Sequence, residues 1–160
     1  EDYILDGKVR PAKVGLLLSS VDELVTGVNN FAFAMHNNER KAIYYALRNA
    51  QVPVDFVTED DVIEGRAKDY ELIYVTQQYV HSKCLDALQK WCEAGGTAVA
   101  MAGGGFWNEF QKENPAAAKF YGANGAKIVK ANIELFGFGV IEAYVGDAMS
   151  RMVKIYQDSL

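Results

Sequence analysis

The chain has 160 residues and a net charge of −5, with half of its residues apolar and 23% charged. That is the balance of a globular protein long enough to bury a real core. The acidic surplus, with no Lys/Arg run longer than two, argues against a nucleic-acid or anionic-membrane surface. No apolar stretch approaches the roughly 20 residues that cross a bilayer, and no secretory leader pattern is present. No compartment is assigned. The chain begins at Glu1 rather than at Met and is read as a mature or excised piece of something longer.

In chain order, Val14–Ser19 (VGLLLS) is a continuous apolar run that predicts a strand buried on both faces. Ser20 to Glu23 fits a capping box, but Gly27–Asn30 is expected to break any helix soon after. Ser20 to Asn38 is therefore expected to be mostly a long loop or short helical turns. Glu39–Gln51 is a predicted helix, with Ala42, Ile43, Ala46, Leu47 and Ala50 on one face. Val52–Val57 is the second predicted strand, with Pro53 at its start. Thr58 to Asp61 forms another capping box, opening a short helix that ends near Gly65.

Glu71–Thr76 is the third predicted strand. Ser82–Ala94 is a helix carrying Leu85, Leu88 and Cys92 on one face, with Cys84 and Trp91 beside it; Gly95 and Gly96 end it. Thr97–Ala102 is the fourth strand. Beyond it, Pro115–Tyr121 reads as a short helix, Lys127–Leu135 and Val140–Val145 as further strands, and Asp147–Leu160 as a terminal helix. Strands alternating with helices predict parallel pairing in a mostly parallel α/β sheet, and residues 1–160 are taken as a single domain.

The segment from Asp69 to Phe106 is half of a doubly wound unit, and the end of its second strand is where such folds place chemistry. That position holds Gly103, Gly104 and Gly105, with no Cys, Ser, His or Asp. Backbone amides at such a turn attract anions, yet the glycine spacing matches neither the dinucleotide fingerprint nor the P-loop. A tight turn that needs small residues is the preferred reading.

Other candidates are weighed in the same way. His36 and Glu39, near the expected helix start, could do acid–base work, against the simpler reading of a solvated loop histidine. His81, at the carboxyl end of the third strand, has no nucleophile beside it in sequence and reads as a helix-entry residue. Glu59, Asp60 and Asp61 cannot converge on one ion from adjacent helix positions and read as a solvated cap. Cys84 and Cys92 are eight residues apart on one helix, about 12 Å, too far for a disulfide; they are read as buried free thiols. Phe106 and Trp107, with Asn108 and Glu109, form either an anchor for the loop, an interface or a sugar-contacting surface. No catalytic residue, cofactor or metal site is assigned. His36, Gln77, Gln78, His81, Gly103, Gly104, Gly105, Phe106 and Trp107 are grouped as a candidate ligand or interface region.

The order VGLLLS, His36 to Arg40, VPVDFVTEDD, DYELIYV and LQKWCEAGGTAVAMAGGG resembles the trimerisation domain of bacterial beta-galactosidases, itself similar in fold to class I glutamine amidotransferases. The resemblance spans Val14 to Glu109. It implies a flavodoxin-like three-layer sandwich and a place beside a catalytic domain in a larger glycosidase-like protein. The implied partners are other copies of the chain or that catalytic domain. In the amidotransferases the nucleophilic Cys follows the strand matching Thr97–Ala102. Here Ala102, Gly103 and Gly104 stand there, so glutaminase chemistry is not expected, and Asn114–Leu160 aligns with no motif. The alternative is a small-molecule or carbohydrate-binding module, or a hydrolase, using the carboxyl edge of the sheet.

Overall fold

Among the described residues five short strands carry the fold: β1 (Val14–Leu18), β2 (Val54–Thr58), β3 (Leu72–Val75), β4 (Thr97–Met101) and β5 (Ala126–Val129). The computed structural model describes residues 11–27, 30–101, 104–122 and 126–129. The strands pair in parallel in the order β2-β1-β3-β4-β5. This is the flavodoxin-like order, in which the winding reverses between β1 and β3. The helices are α1 (Ser20–Gly27), α2 (Asn30–Asn49), α3 (Glu59–Ile63), α4 (Ser82–Glu93) and α5 (Ala117–Gly122), with a 3-10 turn at Arg66–Asp69.

Side chains alternate across the sheet and both faces are covered. On one face Val14, Leu16, Leu72, Tyr74 and Val99 pack against Ala42, Ile43, Ala46 and Leu47 of α2. On the other, Leu17, Val57, Ile73, Val75, Ala98 and Ala100 meet Val62 of α3, Cys84, Leu85, Leu88 and Cys92 of α4, and Phe120 of α5. Burial on both faces explains why β1 and β3 read as unbroken apolar runs. Each fully buried Leu or Ile contributes on the order of 1.5–3 kcal/mol.

The first four predicted strands are found with ends shifted by one or two residues, and the capping box at Thr58 forms as expected. Thr58 Oγ1 accepts from the Asp61 amide, while the Asp61 carboxylate accepts from the Thr58 amide. The Thr58 hydroxyl, which donates to the Asp61 carboxylate at 2.8 Å, and then the Thr58 amide hold that carboxyl below its ordinary pKa, helped by Arg66. Both thiols are buried and free. Burial, with Glu59 and Asp60 adding, holds Cys84 well above the ordinary thiol value, and burial pushes Cys92 up to about 11.

Two expectations need correction. The described residues between Ser20 and Asn38 are not mostly loop: they form α1 and the first part of α2, so α2 starts at Asn30 rather than at Glu39. The α1 cap is also one residue earlier than predicted, with Ser19 Oγ accepting from the Asp22 amide. The expected strand Val140–Val145, the terminal helix Asp147–Leu160 and most of Lys127–Leu135 lie outside the described residues.

Because α2 starts early, Glu39 lies inside the helix and is buried. Burial raises its pKa from 4.5 to about 7. The folded chain therefore holds a proton on Glu39 that the unfolded chain has released, and stability falls as pH rises from about 4.5 through about 7. The loss is on the order of 2–3 kcal/mol. Glu39→Gln is expected to flatten this part of the pH–stability curve, measured by urea unfolding at pH 5 and pH 8. Parallel curves for the two proteins would refute the assignment.

The turn after α4 supplies a second prediction. Gly95 has φ 109°, and Gly96 lies under the Trp91 ring, where a new Cβ would sit 2.1 Å from Trp91 Cε2. Gly96→Ala is expected to cost about 1–3 kcal/mol through overpacking. Gly122→Ala, whose Cβ would meet nothing within 4 Å, should stay within about 0.5 kcal/mol of wild type. Equal denaturant midpoints for the two variants would contradict this packing.

Candidate functional site

At the β1/β3 reversal the chain after β1 leads to α2 on one face, and the chain after β3 leads to α4 on the other. The crevice between them is the usual ligand site of such sheets. Here the protein's own polar groups fill it. The Gln77 side-chain carbonyl accepts from the Ser19 amide, and its NH2 donates to the Ser19 carbonyl at 3.3 Å and to Asp22 Oδ2 at 3.5 Å. Ser19 Oγ donates to the Tyr79 carbonyl at 2.7 Å, and Asp22 Oδ1 accepts from the Tyr79 amide at 3.0 Å. Ser19, Asp22 and Gln77 are all buried.

Next to this clasp stands a second one. Glu59, expected as part of a solvated cap, is instead buried. Its carboxylate accepts from the His81 amide at 2.6 Å and from Ser20 Oγ at 3.2 Å. Asp60 stays exposed, so the three acids divide into a brace, a solvated residue and a capping partner.

His81 is the N-cap of α4, as the helix-entry reading expects. Its Nδ1 accepts from the Lys83 amide, and its Nε2 lies 3.8 Å from Glu109 Oε1. Glu109 Oε2 accepts from both the amide and the hydroxyl of Ser82 at 2.9 Å. Burial alone would raise the Glu109 pKa, but these hydrogen bonds and His81 outweigh it and lower it. Ser82, His81 and Glu109 are thus neighbours without forming a nucleophile–base pair. The Ser82 hydroxyl is given to Glu109, and the His81 nitrogen that could act as base is given to the α4 backbone. The arrangement ties the loop after β4 to the start of α4.

From Gly104 to Asn114 that loop is fastened by hydrogen bonds. Gly105, with φ 72°, donates its amide to the Gln77 carbonyl, and Tyr121 Oη donates to the Gly104 carbonyl. The Gly105 amide is therefore occupied and does not face an anion. Trp107 bonds through its amide to the Gln78 carbonyl and through its carbonyl to the Val80 amide. The Asn108 side chain accepts from the Phe110 and Lys112 amides. The Asn114 amide group donates to the Val80 carbonyl at 2.9 Å, and its backbone amide to the Phe106 carbonyl. On this frame Phe106, Trp107 and Phe110 point outward, 46%, 42% and 71% exposed. Phe106 leans on Tyr121 and Trp107 on Tyr79, with ring centroids at 5.3 and 6.5 Å.

Of the residues grouped from sequence, Gln77, Gln78, His81, Gly104, Gly105, Phe106 and Trp107 therefore come together at the carboxyl edge. His36 does not belong to a loop: its backbone lies inside α2, and its side chain is outside the described residues, as is Gly103. Sequence reading did not single out Ser19, Asp22 or Asn114, and it took Glu59 for part of a solvated cap. The signal for the first two was present as Ser19-x-x-Asp22, one position before the motif chosen. Among the described residues, no three His, Cys, Asp or Glu side chains converge as a metal site.

The geometry defines a flavodoxin-like α/β sandwich whose switch-point crevice is closed by its own side chains. Solved structures that superpose on this chain include parts of glycoside hydrolases. Gan42B, a GH42 beta-galactosidase from G. stearothermophilus, superposes in a catalytic-mutant form with a TM-score of 0.54 at 20% identity, over 67% of this chain and 16% of that one. A beta-galactosidase from Bifidobacterium adolescentis gives 0.57 at 15% identity, over 71% of this chain and 53% of that one. An exo-carrageenase GH42 from Bacteroides ovatus gives 0.60 at 15% identity, over 98% of this chain and 19% of that one. At these identities the likeness is one of fold. The chain spans under a fifth of two of these proteins and about half of the third. No protein-family model and no curated protein sequence matches the chain.

Removing the clasp gives a direct test of its weight. Gln77→Ala leaves the buried Ser19 amide without its acceptor and is expected to cost about 1–3 kcal/mol. Ser20→Ala, which removes only a 3.2 Å contact from an exposed residue, should cost about 0.5 kcal/mol or less. Chemical denaturation of both variants checks the ranking; a Gln77→Ala protein as stable as wild type would show the clasp to be dispensable.

Proposed function

We propose that this chain is a non-catalytic accessory domain of a larger glycoside hydrolase, serving self-association or packing against the catalytic domain as the beta-galactosidase trimerisation domain does. The observation that carries the reading is the loop from Gly105 to Asn114. It is held by backbone and Asn side-chain hydrogen bonds at nearly every position, yet it presents Phe106, Trp107 and Phe110 to solvent. Aromatic side chains on a rigid frame lose little entropy on docking, and such residues dominate protein interfaces.

Two further points support it. The crevice where a related fold would bind a ligand is satisfied internally by Ser19, Asp22, Gln77 and Tyr79. The solved structures sharing the fold are glycosidases much longer than this chain, which agrees with a domain that accompanies a catalytic one.

The test is the mass in solution by sedimentation. The wild-type chain is expected to run heavier than its 17.7 kDa. The triple variant Phe106→Ser, Trp107→Ser, Phe110→Ser should run as a monomer with an unchanged circular dichroism spectrum. In parallel, acrylamide quenching of Trp107 in a Trp91→Phe background compares the isolated chain with the full-length protein. A monomer at every concentration, with Trp107 equally quenched in both settings, would sink the proposal.

A further inference from the structure

A groove of about 260 Å³ runs between α2 and the outer strand β2, on the opposite face of the sheet from α4 and α5. Its wall is aromatic. The Tyr44 and Phe56 rings lie 5.5 Å apart and 20° from parallel, and Tyr45 meets Tyr44 edge-on at 5.8 Å. Phe56 is 51% exposed and Tyr45 45% exposed. Phe56 therefore presents a half-exposed ring on β2, the outermost strand on its side among the described residues, although it shares the inward face of Leu16, its register partner.

Among the described residues the rim is polar, with Asn37, Arg40 and Lys41 lining it and Arg40 already paired with Glu23. Arg40 is fixed by Glu23 at 3.0 Å and by Asn37 Oδ1 at 3.3 Å, with its side chain 12% exposed. Because the Asn37 carbonyl is turned to Arg40, its NH2 is left as a donor. Lys41 is exposed and makes no ion pair among the described residues. Among the described residues no carboxylate lines the groove, in a chain whose net charge is −5. Small-molecule sites combine this kind of apolar wall with a few converging polar groups, and the volume suits one ring rather than an extended chain.

We propose that this groove binds a small ring-shaped carboxylate. The ring lies against the Phe56 and Tyr45 side of the aromatic wall. Its carboxylate meets the Lys41 ammonium and the Asn37 amide. A saturated sugar acid and an aromatic acid share this chemistry, and the two are separated by experiment. The site is independent of the Phe106–Phe110 loop, so the packing role can fail without affecting it.

The test is an amide NMR titration of the 160-residue chain with D-glucuronate, benzoate and D-glucose. Saturable shifts are expected for at least one of the two acids in the millimolar range, centred on residues 37–45 and 54–58. The preferred acid identifies the ring type. D-glucose should bind at least about tenfold more weakly, since it lacks the charge that Lys41 pairs with, a difference of about 1.4 kcal/mol. Lys41→Gln on the exposed helix face should weaken the acid about tenfold without changing the spectrum of the free protein. Phe56→Leu, which keeps apolar bulk on the strand, should weaken it to a similar extent. No saturable shift with either acid overturns the proposal. So does D-glucose binding as well as the acids, or Lys41→Gln binding them unchanged.

Discussion

Adjacent parallel strands whose connections leave toward opposite faces open a gap at their carboxyl ends, and the backbone groups lining that gap lose their ladder partners. In this chain the gap lies between β1 and β3, and a single glutamine spans it. Gln77 supplies both an acceptor and a donor to Ser19, doing for two diverging strand ends what the sheet does for them lower down. Asp22 completes the closure from the first turn of α1 by holding the Tyr79 amide. Both sides of the sheet depend on it, because α1 and α2 are hung from one strand end and the β3–α4 connection from the other.

The loop after β4 inherits that order. Its glycine donates to the Gln77 carbonyl, its tryptophan pairs with residues on either side of Tyr79, and its glutamate holds the first residue of α4. A chain of short hydrogen bonds thus runs from the closed crevice to the exposed rings. The same residues that bond to one another across the switch point give the aromatic surface its stiffness. Closure of the cleft and presentation of the surface are two results of one arrangement of side chains.

Much of this fold was readable before any coordinates. The apolar runs VGLLL and LIYV, the Thr58 box and the paired glycines after Glu93 are local signals, and local signals place elements. What failed was anything decided by tertiary contact. Asn37 and Asn38 are weak helix formers, at most about 0.7 kcal/mol each below alanine. Packing of α2 on β1 and β3, with the Arg40–Glu23 bridge to α1, easily overrides that. Glu59 looked like its exposed neighbour Asp60 because a cap and a buried brace have the same sequence. Only the approach of the His81 amide, 22 residues away, separates them. The candidate region at the carboxyl edge was found as a neighbourhood, from strand ends and glycines. Its inner wiring through Ser19, Asp22 and Asn114 was not, since hydrogen bonds between residues some 34–58 positions apart leave no periodic trace.

The two cysteines give the fold a built-in clock. Cys84 and Cys92 lie in the α4 face that meets the sheet, and burial keeps both as unreactive thiols. An alkylating reagent can reach them only when α4 lifts from β3 and β4, whether by local opening or by global unfolding. Under conditions where reclosing outruns modification, their labelling rate reads out the population of that opened state. The chain thus reports on the integrity of its own central layer without any introduced probe.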